Sequence, residues 1–219
     1  GLHSLPDGYD PNAPHLKSLL EPIFGRLWIV HRLDRDTSGI VLLARSAAAH
    51  QHLNSQFEQR QVSKRYQAII CGRPDWTERL VSLPLQPDGD RQHRTVVNLR
   101  RGKPAETIFR TLGIFARFTW LEALPHTGRT HQIRAHLAAI DLPILGDALY
   151  GGGTALFLSD LKPSFGTGVA PECPLIHRTA LHAYSLDFFH PVDDSSLHLE
   201  APYPKDFNAT LRMLQRYPG

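Results

Sequence analysis

The chain has 219 residues, of which 42% are hydrophobic and 21% are charged. These values are ordinary for a soluble globular protein, and the length allows one sizeable domain, which we predict over residues 1–219. No apolar run is long enough to cross a bilayer, so no membrane partner is predicted. The two cysteines, Cys71 and Cys173, lack CxxC spacing, which favours a reducing cytoplasm.

The net charge is only +3, but the charge is unevenly distributed. Residues 60–117 hold twelve basic side chains against five acidic ones, and arginine outnumbers lysine by 19 to 5 in the chain. The planar guanidinium group grips phosphate in two places and stacks on bases. This concentration of arginine indicates a partner with a phosphate backbone. The alternative is a basic face that is simply exposed to solvent, and charge alone favours that alternative.

The first third of the chain combines loops with apolar segments. Three prolines before residue 15 predict an extended start, Pro22 disturbs the helix that contains it, and Ser46 suits a helix N-cap. The predicted elements are a loop over 1–15, a short helix over His15–Phe24, a buried strand over Gly39–Arg45 and a helix over Ala47–Gln59.

Several strand patterns follow, and turn residues at 87–90 and 101–104 separate some of them. Strand runs divided by helices, with no steady βαβ rhythm, predict an α+β fold with a mainly antiparallel mixed sheet flanked by helices and loops. The predicted strands are Ser63–Cys71, Leu80–Leu85, Thr95–Leu99, Ala105–Phe115, Phe118–Leu124, His182–Phe189 and Leu197–Ala201. The predicted helices are Thr130–Ile140 and Pro204–Arg216, and the predicted loops are 150–154 and an exposed excursion over 161–178.

Residues 31–39, HRLDRDTSG, stand directly before the apolar run at 40–44. Asp34 lies between Arg32 and Arg35 and close to His31. Burial disfavours the charged form of an acid, whereas nearby cations favour it. The pattern predicts a carboxylate that stays ionised where water is scarce, which suits a nucleophile or a general base. A structural ion pair at a strand entrance is the alternative, and composition alone favours it.

This stretch resembles the HRLDxxTSG signature of the RluA-type pseudouridine synthases. Three further stretches resemble the same family in the same order: KRY at 64–66, GRTHQIRAHL at 128–137, and PILGD at 143–147 with YG at 150–151. The resemblance covers nearly the whole chain. It implies a pseudouridine synthase fold with a central catalytic cleft. It also implies an isomerase that converts uridines of structured RNA, in large-subunit rRNA and/or tRNA, to pseudouridine.

The resemblance also assigns roles to three residues. Asp34 becomes the catalytic carboxylate, and both attack on the ribose or base and proton abstraction from the sugar stay open. Arg134 becomes the ion-pair partner of Asp34, and the ring of Tyr66 stacks on the target uracil. Without the resemblance, a tyrosine on a strand is more often core filling, and Arg134 would be a surface arginine of an amphipathic helix.

Further residues are expected to contact the substrate. Arg32 is implied to help flip the nucleotide or to hold the adjacent phosphates, with an ion pair to Asp36 as the alternative. We expect the loop around residue 147 to be scaffolding near the cleft, and residues 91–107 to form an arginine-bearing hairpin along the RNA. The other expected substrate-binding or supporting residues are Arg129, His131, Gln132 and Ile133.

Pseudouridine formation has no redox step and loses no group, so neither a cofactor nor a metal is predicted. The sequence agrees, because it has no glycine-rich phosphate loop, no HExxH and no cysteine quartet. Two other hypotheses stay open: an RNA-binding module that has lost turnover, and a metal-dependent hydrolase built on Asp34, Asp36 and nearby histidines. We also expect missing N-terminal strands, no S4-type RNA-binding domain, a monomer and a cytoplasmic location.

Overall fold

A computed structural model of the chain describes residues 1–6, 12–162 and 171–218. The chain divides into two compact units. The smaller unit comprises Gly1–Lys64 and Ala183–Ala201, and the larger comprises Arg65–His182 and Pro202–Gly219. Within the described ranges, no helix is both long enough and apolar enough to cross a membrane.

The described residues form helices and strands in an α+β arrangement. The helices are α1 (Leu16–Phe24), α2 (Ala47–Glu58), α3 (Gln132–Ala139), α4 (Leu158–Leu161) and α5 (Lys205–Arg216). The strands are β1 (Trp28–Ile29), β2 (Ser38–Gly39), β3 (Leu43–Ala44), β4 (Ser63–Cys71), β5 (Glu78–Ser82), β6 (Leu85–Gln86), β7 (Val96–Val97), β8 (Glu106–Ile114), β9 (Phe118–Pro125), β10 (Leu181–Phe189) and β11 (Ser196–Glu200).

The smaller unit packs α2 against short antiparallel strand pairs. β1 pairs with β3, and β10 pairs with β11. The apolar cluster of this unit includes buried Leu53 of α2 and buried Leu186 and Phe188 of β10. The buried amide of Gln56 donates to the carbonyl of Phe189 and accepts from its N–H, both at 2.8 Å. This pair of hydrogen bonds satisfies a backbone unit at the end of β10 and fixes α2 to it.

The larger unit is built on four antiparallel strands in the order β4-β9-β8-β5. Its apolar cluster contains the buried centre of β4 (residues 68–70), Phe109 of β8 and Leu121 of β9. Leu137 of α3 and Phe207 of α5 pack into the same cluster, and both are fully buried. The pairings are antiparallel, as the sequence predicts.

Most of the predicted elements are confirmed, with small shifts at their ends. Ser46 caps α2, because its hydroxyl accepts from the N–H of Ala49 at 3.2 Å. The prediction for β4 has the observed bounds. Helix α3 begins two residues later than predicted, because His131 has a φ of 50° and therefore cannot be helical.

The prediction of one buried strand over Gly39–Arg45 is wrong. The chain forms two separate two-residue strands, and the residues between them are half-buried and outside any strand. One reason is that the N–H of Leu42 donates to the imidazole Nε2 of His31 at 3.0 Å. A side chain therefore takes the donor that a continuous ladder would use.

Two other predictions also need correction. The strand predicted over Leu80–Leu85 is divided into β5 and β6, because Pro84 between them has no N–H to donate to a ladder. The predicted exposed excursion over 161–178 is partly wrong, because Ile176 is fully buried and bridges to Leu156. Residues 7–11 and 163–170, parts of two predicted loops, lie outside the described residues.

Candidate active site

Asp34 opens a tight turn in the smaller unit. The N–H of Thr37 donates to the carbonyl of Asp34 at 3.0 Å, which closes a four-residue turn. Asp34 is half-buried, whereas Arg35 and Asp36 at the centre of the turn are exposed. The guanidinium of Arg35 donates from Nε to the carbonyl of Gly1 at 2.9 Å. The turn therefore distinguishes its two aspartates, and only Asp34 is partly withdrawn from water.

The residue before Asp34 is held by a buried serine. The N–H of Leu33 donates to Ser4 Oγ at 3.2 Å, and the Ser4 hydroxyl donates back to the Leu33 carbonyl at 3.3 Å. Ser4 and Leu33 are both buried. One hydroxyl thus satisfies both backbone polar groups of a buried residue, and it fixes the backbone that leads into the turn.

His31 is a structural residue of this turn and not a cation beside Asp34. Burial, with a smaller effect of the Lys64 charge, lowers the pKa of His31 to about 4. The ring is therefore neutral near pH 7, and Nε2 is the unprotonated nitrogen that accepts from Leu42. It stacks on Phe57 of α2 with ring centroids 5.1 Å apart. The sequence analysis counted His31 among the groups around Asp34. Because its ring is neutral, His31 supplies no positive charge to that carboxylate.

Lys64, at the end of the smaller unit, is also affected by burial. Removal from water lowers its pKa to about 8, so the ammonium form still predominates at neutral pH. Lys64 belongs to the KRY stretch at 64–66. A basic side chain with a strongly shifted pKa is typical of functional sites, although structural ion-pair networks also shift pKa values.

Gly39 ends the signature, and its backbone requires glycine. Its φ is 114°, and a Cβ placed there would lie 2.2 Å from the carbonyl oxygen of Ala183. The following N–H, of Ile40, donates to that same carbonyl at 3.1 Å. The backbone of Ala183 therefore approaches Gly39 so closely that no side chain fits there.

In the larger unit, Arg134 forms a nearly buried ion pair with Asp147. Arg134 Nε lies 2.6 Å from Asp147 Oδ2, and Nη2 lies 2.9 Å from Oδ1. The two side chains are 11% and 1% exposed. This two-point contact fixes the plane of the guanidinium group, and it gives Asp147 a definite task where the sequence predicted only scaffolding.

Tyr150 completes the surroundings of Arg134. The Arg134 guanidinium carbon lies 4.9 Å from the centre of the Tyr150 ring, a cation–π distance. The N–H of Tyr150 also donates to Asp147 Oδ1 at 3.3 Å. A carboxylate and an aromatic ring from one short loop therefore orient one guanidinium group.

Gln132 is a buried hub at the start of α3. Its carbonyl oxygen accepts from the Thr127 hydroxyl at 2.7 Å and from the N–H of Arg129 at 3.0 Å. Its NH₂ group donates to the Glu106 carbonyl and the Thr107 hydroxyl. Gln132 and Ile133 are only 4% and 6% exposed, so their burial favours a positioning role over the direct substrate contact that the sequence suggested.

The remaining predicted residues have varied surroundings. Arg32 is exposed. Arg129 is half-buried and donates from Nε to the carbonyl of Pro104 at 3.1 Å. His131 is half-buried, with Nδ1 3.1 Å from the Tyr150 hydroxyl. Tyr66 is half-buried on β4 opposite Ala123 and packs against the larger apolar cluster.

Asp34 belongs to the smaller unit, whereas Tyr66 and Arg134 belong to the larger. The sequence analysis assigned no role to Ser4 or Tyr150. The YG pair that follows PILGD could have identified Tyr150 as a residue of the site, but no local sequence pattern identifies Ser4. In the described ranges, no group of three or more His, Cys, Asp or Glu side chains is placed to hold a metal. The metal-dependent hydrolase therefore has no ligand set among those residues.

The fold places the chain in a known class. It aligns with human RNA Pseudouridylate Synthase Domain Containing 4 at a TM-score of 0.73 and 25% identity, over 97% of this chain and 87% of that one. Human RNA Pseudouridylate Synthase Domain Containing 1 aligns at a TM-score of 0.66 and 26% identity, over 87% and 74%. The fold is therefore a pseudouridine synthase fold, as the sequence predicts.

Sequence comparison gives the family. The family model described as RNA pseudouridylate synthase matches residues 16–139. The chain is 34% identical to Dual-specificity RNA pseudouridine synthase RluA of Pasteurella multocida, over 92% of this chain and 85% of that protein. It is 36% identical to Ribosomal large subunit pseudouridine synthase C of Vibrio cholerae, over 90% of this chain and 58% of that protein. The chain belongs to the RluA-type RNA pseudouridine synthase family, and it spans little more than half the length of several curated relatives.

Proposed function

We propose that this chain isomerises uridine to pseudouridine in structured RNA, with Asp34 as the catalytic carboxylate. Family membership supports the reaction, and the surroundings of Asp34 support the choice of residue. Asp34 is the half-buried aspartate of a turn that Ser4, His31 and Gly39 fix at successive points. This fixed turn, with one of its two acids withdrawn from water, is the observation that carries the assignment.

The reaction breaks the bond between ribose C1′ and N1 of uracil and rebuilds it between C1′ and C5. The proton on C5 leaves and N1 gains one, so atoms and charge balance without an added reactant. An ionised Asp34 serves both routes, attack on the ribose or base and abstraction of a sugar proton. Arg134 is proposed to stabilise negative charge during these steps, and Tyr66 to stack on the extruded uracil.

The basic hairpin, residues 84–103, is proposed to lie along the RNA backbone. It contains β6 and β7 and has five basic side chains against two acidic ones. Four of the five are exposed, which suits contacts with phosphate. The exposed basic residues are Arg91, Arg100, Arg101 and Lys103.

The RNA target is proposed from the relatives. One relative is named for the ribosomal large subunit and another for dual specificity, so large-subunit rRNA and tRNA are the substrates to test. We also propose a monomer in the cytoplasm. The absence of a disulfide at Cys71 and Cys173, both free, supports a reducing compartment, and gel filtration with light scattering tests the monomer.

The test uses transcripts of large-subunit rRNA and of a tRNA set, made with [5-³H]uridine. Pseudouridine formation releases the tritium, and carbodiimide-blocked primer extension locates the product. We expect release by the wild type and a loss of about 10³-fold or more in Asp34→Ala, because the reacting group is gone. Asp36→Ala is the matched control, since it removes the exposed aspartate of the same turn, and it should stay within about threefold.

Different results would support other functions. Equal activity in wild type and Asp34→Ala would refute the assignment of Asp34. Tight binding of a transcript with no tritium release over long incubation would favour an RNA-binding module without turnover. Cleavage of a transcript that strong chelators abolish, without tritium release, would favour the metal-dependent hydrolase.

A further inference from the structure

Tyr150 contacts both Arg134 and the basic hairpin, two parts of the larger unit that have separate roles in the proposed function. Its ring lies against the guanidinium of Arg134, at 4.9 Å. Its hydroxyl reaches the basic hairpin, where it accepts from the N–H of Thr95 at 3.0 Å and donates to the carbonyl of Thr95 at 3.1 Å. One side chain therefore contacts both the proposed RNA-binding element and the proposed catalytic arginine.

The hydrogen bonds of the hydroxyl are internally consistent. A phenol donates once and accepts twice. Because the donated bond goes to the Thr95 carbonyl, the contact with His131 Nδ1 at 3.1 Å must be an N–H of the imidazole donating to the oxygen. Burial raises the pKa of Tyr150, so the hydroxyl keeps its proton at neutral pH. Tyr150 is 9% exposed, which protects these bonds from competition by water.

A second contact joins the same two segments. Arg94 Nη1 donates to the carbonyl of Leu149, next to Tyr150, at 3.3 Å. The same guanidinium donates from Nε to Asp90 Oδ2 at 2.7 Å within the hairpin. A shift of the hairpin backbone at residues 94–95 would therefore move the loop at 149–150, and with it the ring beside Arg134.

We propose that Tyr150 is a positioning residue that couples occupancy of the basic hairpin by RNA to the orientation of Arg134. The inference rests on the proposed function, because it needs an RNA on the hairpin and a reaction that uses Arg134. The coupling arises because phosphate contacts fix the hairpin, and the hairpin fixes the hydroxyl and thereby the ring. An RNA that reaches the active centre without touching the hairpin would then be converted more slowly, even when fully bound.

The test is a double-mutant cycle on the large-subunit rRNA transcript, or on the tRNA transcript if only that one releases tritium. The four proteins are wild type, Arg91→Ala, Tyr150→Phe and the double variant. Arg91 is an exposed hairpin arginine, and phenylalanine keeps the ring but loses the hydroxyl. Single-turnover rate constants at saturating RNA report positioning, and filter binding reports affinity.

We expect Tyr150→Phe to lower the saturating rate about tenfold while changing the RNA Kd less than twofold. Arg91→Ala should weaken binding and also lower the saturating rate about threefold in the wild type, but not in the Tyr150→Phe background. Tyr184→Phe is the matched control, because it removes a hydroxyl that donates to Glu200 in the smaller unit, and its rate should match the wild type.

Two outcomes would overturn the coupling. One is an equal effect of Arg91→Ala on the saturating rate in both backgrounds, and the other is an unchanged rate in Tyr150→Phe. If Tyr150→Phe folds poorly, Arg94→Ala removes the second contact and should lower the saturating rate in the same direction, and no change there would also refute the proposal. Failure of the proposed function appears separately, as the absence of tritium release by the wild type.

Discussion

The turn around Asp34 and the first part of helix α3 around Arg134 each hold one side chain to which we propose a function, but by opposite means. The chain on both sides of the Asp34 turn is fixed through backbone groups. The N–H of Leu33 donates to the Ser4 hydroxyl, and the N–H of Leu42 donates to the neutral imidazole of His31. Arg134 is fixed through its own charged group, by a carboxylate at 2.6 Å and an aromatic ring at 4.9 Å. The observed supports of the Asp34 turn act on backbone groups, whereas those of Arg134 act on its guanidinium group itself.

This difference predicts how each site fails. Substitution at Asp34 removes the proposed reacting group and leaves the backbone hydrogen bonds of Leu33 and Leu42 in place, so the fold should persist. Substitution at Asp147 removes a two-point carboxylate contact from the Arg134 guanidinium, which has little exposure to water. Breaking a buried ion pair from one side is costly, because desolvation of the remaining charge is no longer offset.

The largest expected effect is on stability in Asp147→Ala. We expect it to lower the free energy of unfolding by about 3–5 kcal/mol, measured by urea denaturation at pH 7. Asp34→Ala, in the turn, should change the free energy of unfolding by less than about 1 kcal/mol. The double variant Arg134→Met/Asp147→Leu should recover most of the lost stability, because it removes both charges together, while staying inactive. Similar losses in Asp147→Ala and Asp34→Ala would contradict the comparison.

The next effect concerns the neutral imidazole of His31. Its pKa is about 4 in the folded state against an ordinary value of 6.5, so the unfolded chain binds more protons between these values. His31 therefore contributes stability that is fully present above pH 6.5 and is lost as the pH falls towards 4. The loss amounts to about 3 kcal/mol if the whole shift is expressed.

The measurement compares urea denaturation at pH 7 and pH 4 in the wild type and in His31→Gln. The glutamine carbonyl can still accept from Leu42, but it does not titrate. We expect the variant to lose less stability than the wild type over this range, because the group that gains a proton on unfolding is gone. An identical pH dependence in His31→Gln and the wild type would show that the ring is not held neutral.

The sequence predicted regular elements well where side-chain periodicity decided them. The alternation of β4 and the capped pattern of α2 are local signals, and both elements occur as predicted. The strand over Gly39–Arg45 failed because its apolar content indicates burial but not pairing. The donor of Leu42 goes to a ring eleven residues away, and no local pattern reports such a bond.

The residues of the candidate site also fall into two groups, those that local sequence motifs identify and those that they do not. Asp34, Arg134 and Tyr66 could be selected because their motifs resemble a family. Their supports were harder to find, because a single serine 29 residues from its partner leaves no pattern in sequence. Asp147 was noticed in its motif, yet its ion pair with Arg134 depends on how α3 and the following loop pack, which composition does not determine.

The smallest expected effect tests the backbone support of the turn directly. Ser4→Ala leaves the buried N–H and carbonyl of Leu33 without the hydroxyl that bonds both, so we expect a loss of about 1–2 kcal/mol in the free energy of unfolding. The rate of tritium release should fall severalfold, because the loosened residue directly precedes Asp34. Ser55→Ala, which removes an exposed α2 hydrogen bond from the Gln59 side-chain amide to the Ser55 hydroxyl, should change stability by less than about 0.5 kcal/mol. If Ser4→Ala loses stability but keeps its full rate, the turn orients Asp34 without its backbone support, and the contrast with Arg134 fails.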